Sequence, residues 1–306
     1  MRRELITFRN PKSPISETFR TLRTNIQFMN VNKKMKTILV TSTLPGEGKS
    51  WVTSNLAVTF AQAGKQVVLI DADMRKGRQY SIFGTYPKPG LANFLAENNQ
   101  NVDLADIEKY VQKTDVDGLY MISAGNVPPN PSELLITPQM QALLDKLSLQ
   151  CDIIIVDAPP CELVTDAVIL SRIVDSTIVV AAHKTTKKAN LQKTIKSIKN
   201  VGGNIAGVVL NKVPVEARKY EKSYYYYGSQ LTTTKEKRNT GLNKGNFGKN
   251  TNQNTNSKRP PIKEENIEKK PTITNNTENN STEKTQEILR QVNEYLEQER
   301  NDTKRD

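Results

Sequence analysis

The amino-acid sequence predicts an α/β fold: a mostly parallel, doubly wound sheet with helices on both faces. The main observation is a series of short, almost continuous apolar runs, because strands that are covered on both faces need no polar side. Helical patterns separate the runs, as the crossover connections of a parallel sheet require. The expected strands are residues 36–42, 66–73, 118–125, 151–160, 176–184 and 204–212.

The connecting segments have the apolar spacing of amphipathic helices. The expected helices cover residues 50–64, 131–150 and 187–203, and a further helix at 13–30 precedes the first strand. From about residue 229 the sequence turns to Asn, Thr, Lys, Gly and Gln, as in "GLNKGNFGKNTNQNTNSKRPP". Such a segment has too little apolar surface to offset the entropy lost on ordering, so we expect a disordered C-terminal tail.

Composition limits the compartment and the partners. The chain of 306 residues has a net charge of +12, which favours nucleotide phosphates or an acidic membrane surface as partners and fits a basic solvated surface equally well. Cys151 and Cys161 lack metal-ligand spacing, which indicates free thiols in a reducing compartment. The sequence has no long apolar run and no signal-peptide pattern, so we expect a cytoplasmic protein that reaches the membrane through a partner.

A phosphate-binding loop is indicated between the first strand and the helix that follows it. The segment "TSTLPGEGKSW" (41–51) contains the Gly-Lys-Ser of a P-loop. Its glycines allow backbone N–H groups to point at phosphate oxygens, and the start of the next helix adds positive potential. Lys49 is expected to reach the β- and γ-phosphates, and Ser50 to bind Mg²⁺. Thr43 occupies the first glycine position of the usual motif, where a small residue can also turn.

Three acidic residues stand at the ends of two other predicted strands. Asp71 and Asp73 follow the run "VVLI", and Asp157 follows "IIIV". Ligands of open parallel sheets bind at the carboxyl ends of the strands, so all three carboxylates are expected near Ser50. Two carboxylates beside a magnesium phosphate allow one to hold a water on the metal and the other to accept a hydroxyl proton.

Five of the ten tyrosines lie within eight residues, in "YEKSYYYY" (220–227). Flanking charges and Gly228 favour exposure over a buried strand. The remaining interpretations are a stacking surface for nucleic acid and a set of hydroxyls that become modified. A stacking surface needs basic residues interleaved with the aromatics, and only Lys219 and Lys222 flank the cluster, so modification is favoured.

With these motifs, the chain resembles the bacterial tyrosine kinases of capsular and exopolysaccharide synthesis, of the stand-alone cytoplasmic type. The resemblance rests on "PGEGKS", "DADMRKG", "GNVPPNPSELL" (125–135) and "DAPP" followed by "TDA" (165–167), in this order. It covers about residues 1–228 and implies a P-loop NTPase fold that uses ATP with Mg²⁺ or Mn²⁺. One departure is that 78 residues follow Gly228, whereas family members of this type commonly end soon after the tyrosines.

The resemblance also implies a role for each matching residue. Asp71 would activate the attacking tyrosine hydroxyl and Lys49 would contact the phosphates of ATP, while Ser50, Asp73 and Asp157 would hold the metal directly or through water. The residues expected at the nucleotide are Gly46, Glu47, Gly48, Lys49, Ser50, Trp51, Arg75 and Asn211. The expected phosphate acceptors are Tyr220, Tyr224, Tyr225, Tyr226 and Tyr227.

Some of these residues have a plainer alternative. Glu17, Arg20 and Arg23 match the family's E-x-x-R-x-x-R, which packs subunits into a ring, yet their spacing also suits a solvated ion pair within one helix. Asn211 ends the last strand, where it would contact adenine or satisfy a turn. The partners that the resemblance implies are a transmembrane activator of the polysaccharide co-polymerase type, a cognate tyrosine phosphatase and further copies of the chain, without nucleic acid.

The expected organisation has five parts. They are an N-terminal helical segment for oligomerisation (1–35), a P-loop kinase domain (36–219), the tyrosine cluster (220–228), a disordered linker (229–280) and a short amphipathic helix (281–300).

Two other functions share this branch of P-loop proteins. Partitioning and cell-division-site ATPases are hydrolytic switches that carry a lysine directly after the first glycine position of the loop, and here that position is Leu44. A nucleotide-dependent scaffold for a membrane protein is the other alternative. The tyrosine cluster and the complete set of Lys49, Asp71, Asp73 and Asp157 favour the kinase over both.

Overall fold

The computed structural model describes residues 4–29, 35–97 and 107–214. The predicted tyrosine cluster, linker and C-terminal helix all come after residue 214 and therefore lie outside the described residues.

A seven-stranded sheet forms the centre of the described part, in the order β3-β4-β2-β5-β1-β6-β7. Every neighbouring pair is parallel except β3 and β4, which pair antiparallel at one edge. The strands are β1 (Thr37–Ser42), β2 (Val67–Asp71), β3 (Val111–Lys113), β4 (Leu119–Ile122), β5 (Ile153–Asp157), β6 (Ser176–Ala182) and β7 (Ile205–Asn211). The predicted mostly parallel α/β fold is confirmed.

Helices and short helical turns connect these strands. In the described residues they are α1 (Ile6–Arg9), α2 (Pro14–Phe28), α3 (Lys49–Gln62), α4 (Gln79–Phe83), α5 (Leu91–Glu97), α6 (Pro131–Ile136), α7 (Pro138–Gln150), α8 (Asp166–Ser171) and α9 (Lys188–Asn200). None of the helices in these ranges has the length and apolar character needed to cross a membrane.

Two local predictions were incomplete or wrong. The segment 131–150 was expected to be one helix, but it forms α6 and α7, which break at Thr137. Pro138 has no N–H to continue a helix and forces the residue before it into an extended conformation, here with ψ near 150° at Thr137. The three-residue strand β3 was also missed, because its sequence, "VQK", has no apolar run.

Helix α3 lies at the centre of one face of the sheet. Ten consecutive residues of it, 52–61, are buried, so it has no solvent-facing stripe. Small and polar side chains such as Ser54 and Asn55 are part of this buried stretch because neighbouring groups bond them. A helix that is buried on all sides holds its first turn, which carries Lys49 and Ser50, in one place.

The N-terminal helices cover the outer side of α3. The ring of Phe19 on α2 meets Trp51 edge to face at a centroid distance of 5.1 Å, an arrangement that contributes about 0.5–1.5 kcal/mol beyond the area it buries. Thr7 on α1 is bonded to Asn55 of α3 through both its N–H and its hydroxyl. The predicted amphipathic helix at 13–30 therefore has its apolar stripe covered within the same chain.

Candidate active site at the P-loop

The site is built at the carboxyl edge of three adjacent strands. Strand β5 lies between β2 and β1, and Asp71 of β2 stands in register with Asp157 of β5. Ser42 ends β1, and the loop that follows it leads into α3. The topology therefore gathers both strand-end carboxylates and the phosphate-binding loop at one place.

The loop turns on two glycines with left-handed backbones. Gly46 has φ +81° and Gly48 has φ +95°, a region that residues with a Cβ rarely occupy. Gly48 is the N-cap of α3, so Lys49 and Ser50 occupy its first turn. Unpaired N–H groups at a helix start attract anions, as expected for a phosphate site.

The ammonium of Lys49 lies among oxygen atoms. Its Nζ is 3.0 Å from Asp73 Oδ2, 3.6 Å from Asp157 Oδ1 and 3.2 Å from Ser50 Oγ. Burial alone would lower the pKa of Lys49, but the carboxylates of Asp157 and Asp73 outweigh burial and hold that pKa above its ordinary value. The lysine is therefore charged and neutralises part of the acidic cluster.

The same oxygen atoms are of the types that could hold a divalent metal. A serine hydroxyl and carboxylate oxygens are the donor types that Mg²⁺ prefers. The three residues predicted as metal ligands, Ser50, Asp73 and Asp157, all approach the Lys49 ammonium, so their oxygens already surround one cation.

Asp71 is fully buried beneath this cluster. Its Oδ1 accepts the N–H of Asp73 at 3.2 Å, and its Oδ2 accepts the N–H of Gln79 at 2.9 Å. Burial, together with the nearby charge of Asp157, raises the pKa of Asp71 to about 8. A carboxyl group with a pKa near neutrality can exchange a proton under physiological conditions.

Gln79 is a site residue that the sequence did not reveal. Its Nε2 donates to Asp157 Oδ2 at 2.8 Å and to the carbonyl oxygen of Ser50 at 3.2 Å, and its Oε1 accepts the hydroxyl of Ser54. This buried amide joins the loop after β2, the end of β5 and the first turn of α3. No sequence signal could have found it, because a glutamine that follows a charged loop is expected to lie in solvent.

Arg75 lies at the rim of the site and is tied to residues far along the chain. Its Nε is 3.3 Å from Asp166 Oδ2, and its Nη2 is 3.3 Å from both Asp166 Oδ1 and Ser132 Oγ. Asp166 is fully buried in the first turn of α8. Residues of the "TDA" and "PSELL" segments therefore hold this predicted nucleotide-site arginine at the rim.

The other residues predicted at the nucleotide divide into two groups. Trp51 packs against Phe19 and also lines the cavity beside the P-loop. Glu47 is buried, and Asn211 donates from Nδ2 to the carbonyl oxygen of Glu47 at 2.9 Å. Both of these side chains bond within the protein.

The cavity beside the loop has a volume of about 330 Å³. Its lining includes the charged side chains of Lys49 and Asp73 and the apolar side chains of Pro160 and Leu163. Leu163 is 61% exposed although it is a large apolar residue, so it is accessible to a ligand.

The three residues predicted for oligomerisation have partners within the chain. Glu17 and Arg20 form the ion pair at a spacing of three that the sequence allowed, with Nε 2.9 Å from Oε2. Arg23 donates from Nη1 to the carbonyl oxygen of Thr59 at 2.9 Å. These contacts do not test the predicted ring, which stays a prediction.

Comparison with known families places the chain among P-loop NTPases. The profile of the ParA family, described as NUBPL iron-transfer P-loop NTPase, matches residues 33–293. This match shows that the chain shares the P-loop NTPase fold of that family.

Two curated relatives match most of the chain. CapB of Staphylococcus aureus, provisionally named a tyrosine-protein kinase, is 38% identical over 218 residues, which are 71% of this chain and 92% of CapB. The tyrosine-protein kinase YwqD of Bacillus subtilis strain 168 is 36% identical over 232 residues, which are 75% of this chain and 93% of YwqD. A longer relative, EpsB of Ralstonia nicotianae, matches over only 28% of its own length.

A solved structure agrees with these relatives. The crystal structure of the chimerical protein CapA2B2 superimposes with a TM-score of 0.64 at 35% sequence identity, over 70% of this chain and 92% of that one.

Proposed function

Because the chain belongs to the bacterial tyrosine kinases, a branch of the P-loop NTPases, we propose that it phosphorylates the tyrosines of its own cluster at 220–227. In this proposal ATP is the donor, the transfer occurs in trans between copies of the chain, and phosphorylation regulates capsule or exopolysaccharide assembly. Its membership confirms the kinase identity expected from the motifs. The observation that best supports the reaction is the charged Lys49, which lies between Asp73 and Asp157. Beside this cluster is Asp71, a buried carboxyl group whose pKa is raised to about 8.

In this proposal the P-loop amides and Lys49 hold the phosphates of ATP. Lys49 now bonds to carboxylates, so it turns from Asp73 toward the phosphates when nucleotide enters. Mg²⁺ or Mn²⁺ would be held by Ser50, Asp73 and Asp157 and would neutralise charge on the transferring group. Phosphoryl transfer depends mostly on positioning and electrostatic stabilisation, which is what loop amides, an ammonium and carboxylates supply.

Asp71 is proposed to accept the proton of the acceptor hydroxyl. Its pKa of about 8 supports this role, because a general base works best when its pKa is close to the ambient pH. Asp71 has no exposed surface in this structure. The proposal therefore requires the loop that carries Asp73 to move aside when the acceptor tyrosine binds.

We further propose that the enzyme works as an oligomer at the inner face of the membrane. A ring of subunits would allow the tyrosines of one copy to enter the active site of another. The supporting observations are the E-x-x-R-x-x-R residues of α2 and the partial coverage of longer kinases such as EpsB, in which the matched region is one part of a larger protein. A separate transmembrane activator would take the place of that additional part, and a cognate phosphatase would reverse the reaction.

The test is intact-mass spectrometry of the full chain after incubation with ATP and Mg²⁺, with the activator's cytoplasmic segment added. Wild type is compared with Lys49→Met and with a variant in which the five clustered tyrosines are phenylalanine. Successive phosphoryl additions that disappear in both variants are the expected result. Steady ATP hydrolysis without phosphate on the protein would instead favour a switch ATPase, one of the two alternative functions considered for this branch of P-loop proteins.

A further inference from the structure

Thr186 lies in the turn after β6, and nothing in the motifs assigns it a role. We propose that Thr186 is a positioning residue, which holds the phosphate-binding loop in its binding shape through Glu47. The inference rests on the proposed function only in requiring that the P-loop binds a nucleotide.

The first observation is that Glu47 faces away from the nucleotide side. Glu47 is only 1% exposed, and both of its carboxylate oxygens accept hydrogen bonds from groups within the protein. Oε2 accepts the N–H of Leu44 at 2.9 Å, and Oε1 accepts the hydroxyl of Thr186. Because a carboxylate that faced the phosphates would repel them, this orientation also keeps negative charge away from the ligand.

The second observation is that Thr186 is itself fixed. Its hydroxyl accepts the N–H of Ala182 at 2.8 Å while it donates to Glu47, and its own N–H donates to the carbonyl oxygen of Ala182 at 2.9 Å. The turn is completed by Lys184 in a left-handed conformation, with φ +56°. The hydroxyl therefore transmits the position of the end of β6 to the loop.

The third observation is a parallel attachment from β7. Asn211 donates from Nδ2 to the carbonyl oxygen of Glu47 at 2.9 Å, and its own carbonyl oxygen accepts the N–H of His183 at 2.8 Å. Glu47 is thus held through its side chain by the turn after β6 and through its backbone by β7. The loop residue that precedes Gly48 is thereby attached to two strands of the sheet.

Such an attachment acts on binding more than on chemistry. The loop binds phosphate with backbone N–H groups, and a loop that is already ordered loses less entropy when the ligand arrives. Without the Thr186 hydroxyl, Glu47 loses a charge-assisted hydrogen bond, and the loop has to be ordered at the moment of binding. We expect the dissociation constant for nucleotide to rise and kcat at saturating nucleotide to change little.

The experiment measures the dissociation constant of a fluorescent ATP analogue with Mg²⁺ on the full chain. Binding is followed by fluorescence, so the measurement does not depend on phosphoryl transfer. Thr186→Val keeps the shape and removes the hydroxyl, so we expect about a tenfold rise in Kd. Thr186→Ser keeps the hydroxyl and should restore Kd to about twofold of wild type. The matched control is Thr185→Val, because the Thr185 hydroxyl donates only to the carbonyl oxygen of His183.

A second variant keeps the inference testable if Thr186→Val folds poorly. Glu47→Gln preserves the shape and the bond from Leu44 but removes the charge that Thr186 meets. Glu47→Gln alone should raise Kd about tenfold, as Thr186→Val does, because both changes remove the same charge-assisted hydrogen bond. Where Thr186→Val folds, the two effects on Kd should not add. Unchanged Kd in a folded Thr186→Val variant, additive effects of the pair, or a fall in kcat at constant Kd would each overturn the inference. A protein that binds nucleotide normally but transfers no phosphate would contradict the proposed function instead.

Discussion

Replacing Gly48 by alanine tests whether the loop and Asn211 are coupled as the structure indicates. A Cβ at Gly48 would lie 2.1 Å from Asn211 Nδ2, far inside van der Waals contact, and φ at this position is +95°. The left-handed backbone alone costs an alanine about 1–2 kcal/mol. Asn211 would also have to swing away and give up its bond to the Glu47 carbonyl oxygen, a further loss of about 1 kcal/mol. Gly48→Ala should therefore destabilise the fold by about 2–3 kcal/mol.

Gly46→Ala is the matched control. Gly46 has a similar φ of +81°, but nothing lies within 4 Å of its Cβ position, so only the backbone term of about 1–2 kcal/mol applies. Equilibrium urea unfolding of the nucleotide-free protein measures both variants, together with Asn211→Ala and the double variant of Gly48 and Asn211. Since Gly48→Ala already breaks the Asn211 bond, the double variant should be no less stable than Gly48→Ala, a non-additivity of about 1 kcal/mol.

Two results would refute this reasoning. If Gly46→Ala destabilises as much as Gly48→Ala, the contact with Asn211 contributes nothing. If the effects of Gly48→Ala and Asn211→Ala simply add, the two residues are not coupled, and the attachment of the loop to β7 loses its support.

Three further predictions follow from burial and charge. Because burial raises the pKa of Asp71 to about 8, kcat/KM for phosphorylation should rise with pH up to about 8, and a flat pH–rate profile would exclude Asp71 as the base. The folded state also retains a proton that the unfolded chain releases near pH 3.8, so the folded state should lose stability as the pH rises from there to about 8. Phe19→Ala should lower the free energy of unfolding by about 3–5 kcal/mol, whereas Phe28→Ala, at a position 72% exposed, should change it by less than about 0.5 kcal/mol. Equal effects of the two substitutions in urea unfolding would contradict the packing of α2 on α3. Because partial burial raises the pKa of Cys151 and Cys161 to about 11, both should react with iodoacetamide at pH 8 much more slowly than in urea-unfolded protein. Rapid alkylation of the folded chain would show that the fold does not shield these thiols.

The broad outline of fold and site is readable in the sequence because it depends on local patterns. An apolar run that is buried on both faces predicts a parallel strand wherever it occurs, and six such runs located β1, β2, β4, β5, β6 and β7. The P-loop is equally local, since its two glycines, Lys49 and Ser50 lie within the five residues 46–50. Strand-end carboxylates at Asp71 and Asp157 could be placed beside it because parallel strands share one carboxyl edge.

Only the tertiary structure decided which side chains meet across long separations. Gln79 bonds to Asp157, Arg75 pairs with Asp166, and Thr186 holds Glu47, and in each pair more than seventy positions separate the partners. A hydrogen bond depends on distances of a few tenths of an ångström and on angle, and neither composition nor periodicity carries such information. The sequence by itself thus determined six of the seven strands, the phosphate loop and the chemistry of the acidic edge. The packing of the sheet decided which polar groups orient that chemistry, because it alone brings distant parts of the chain into bonding range.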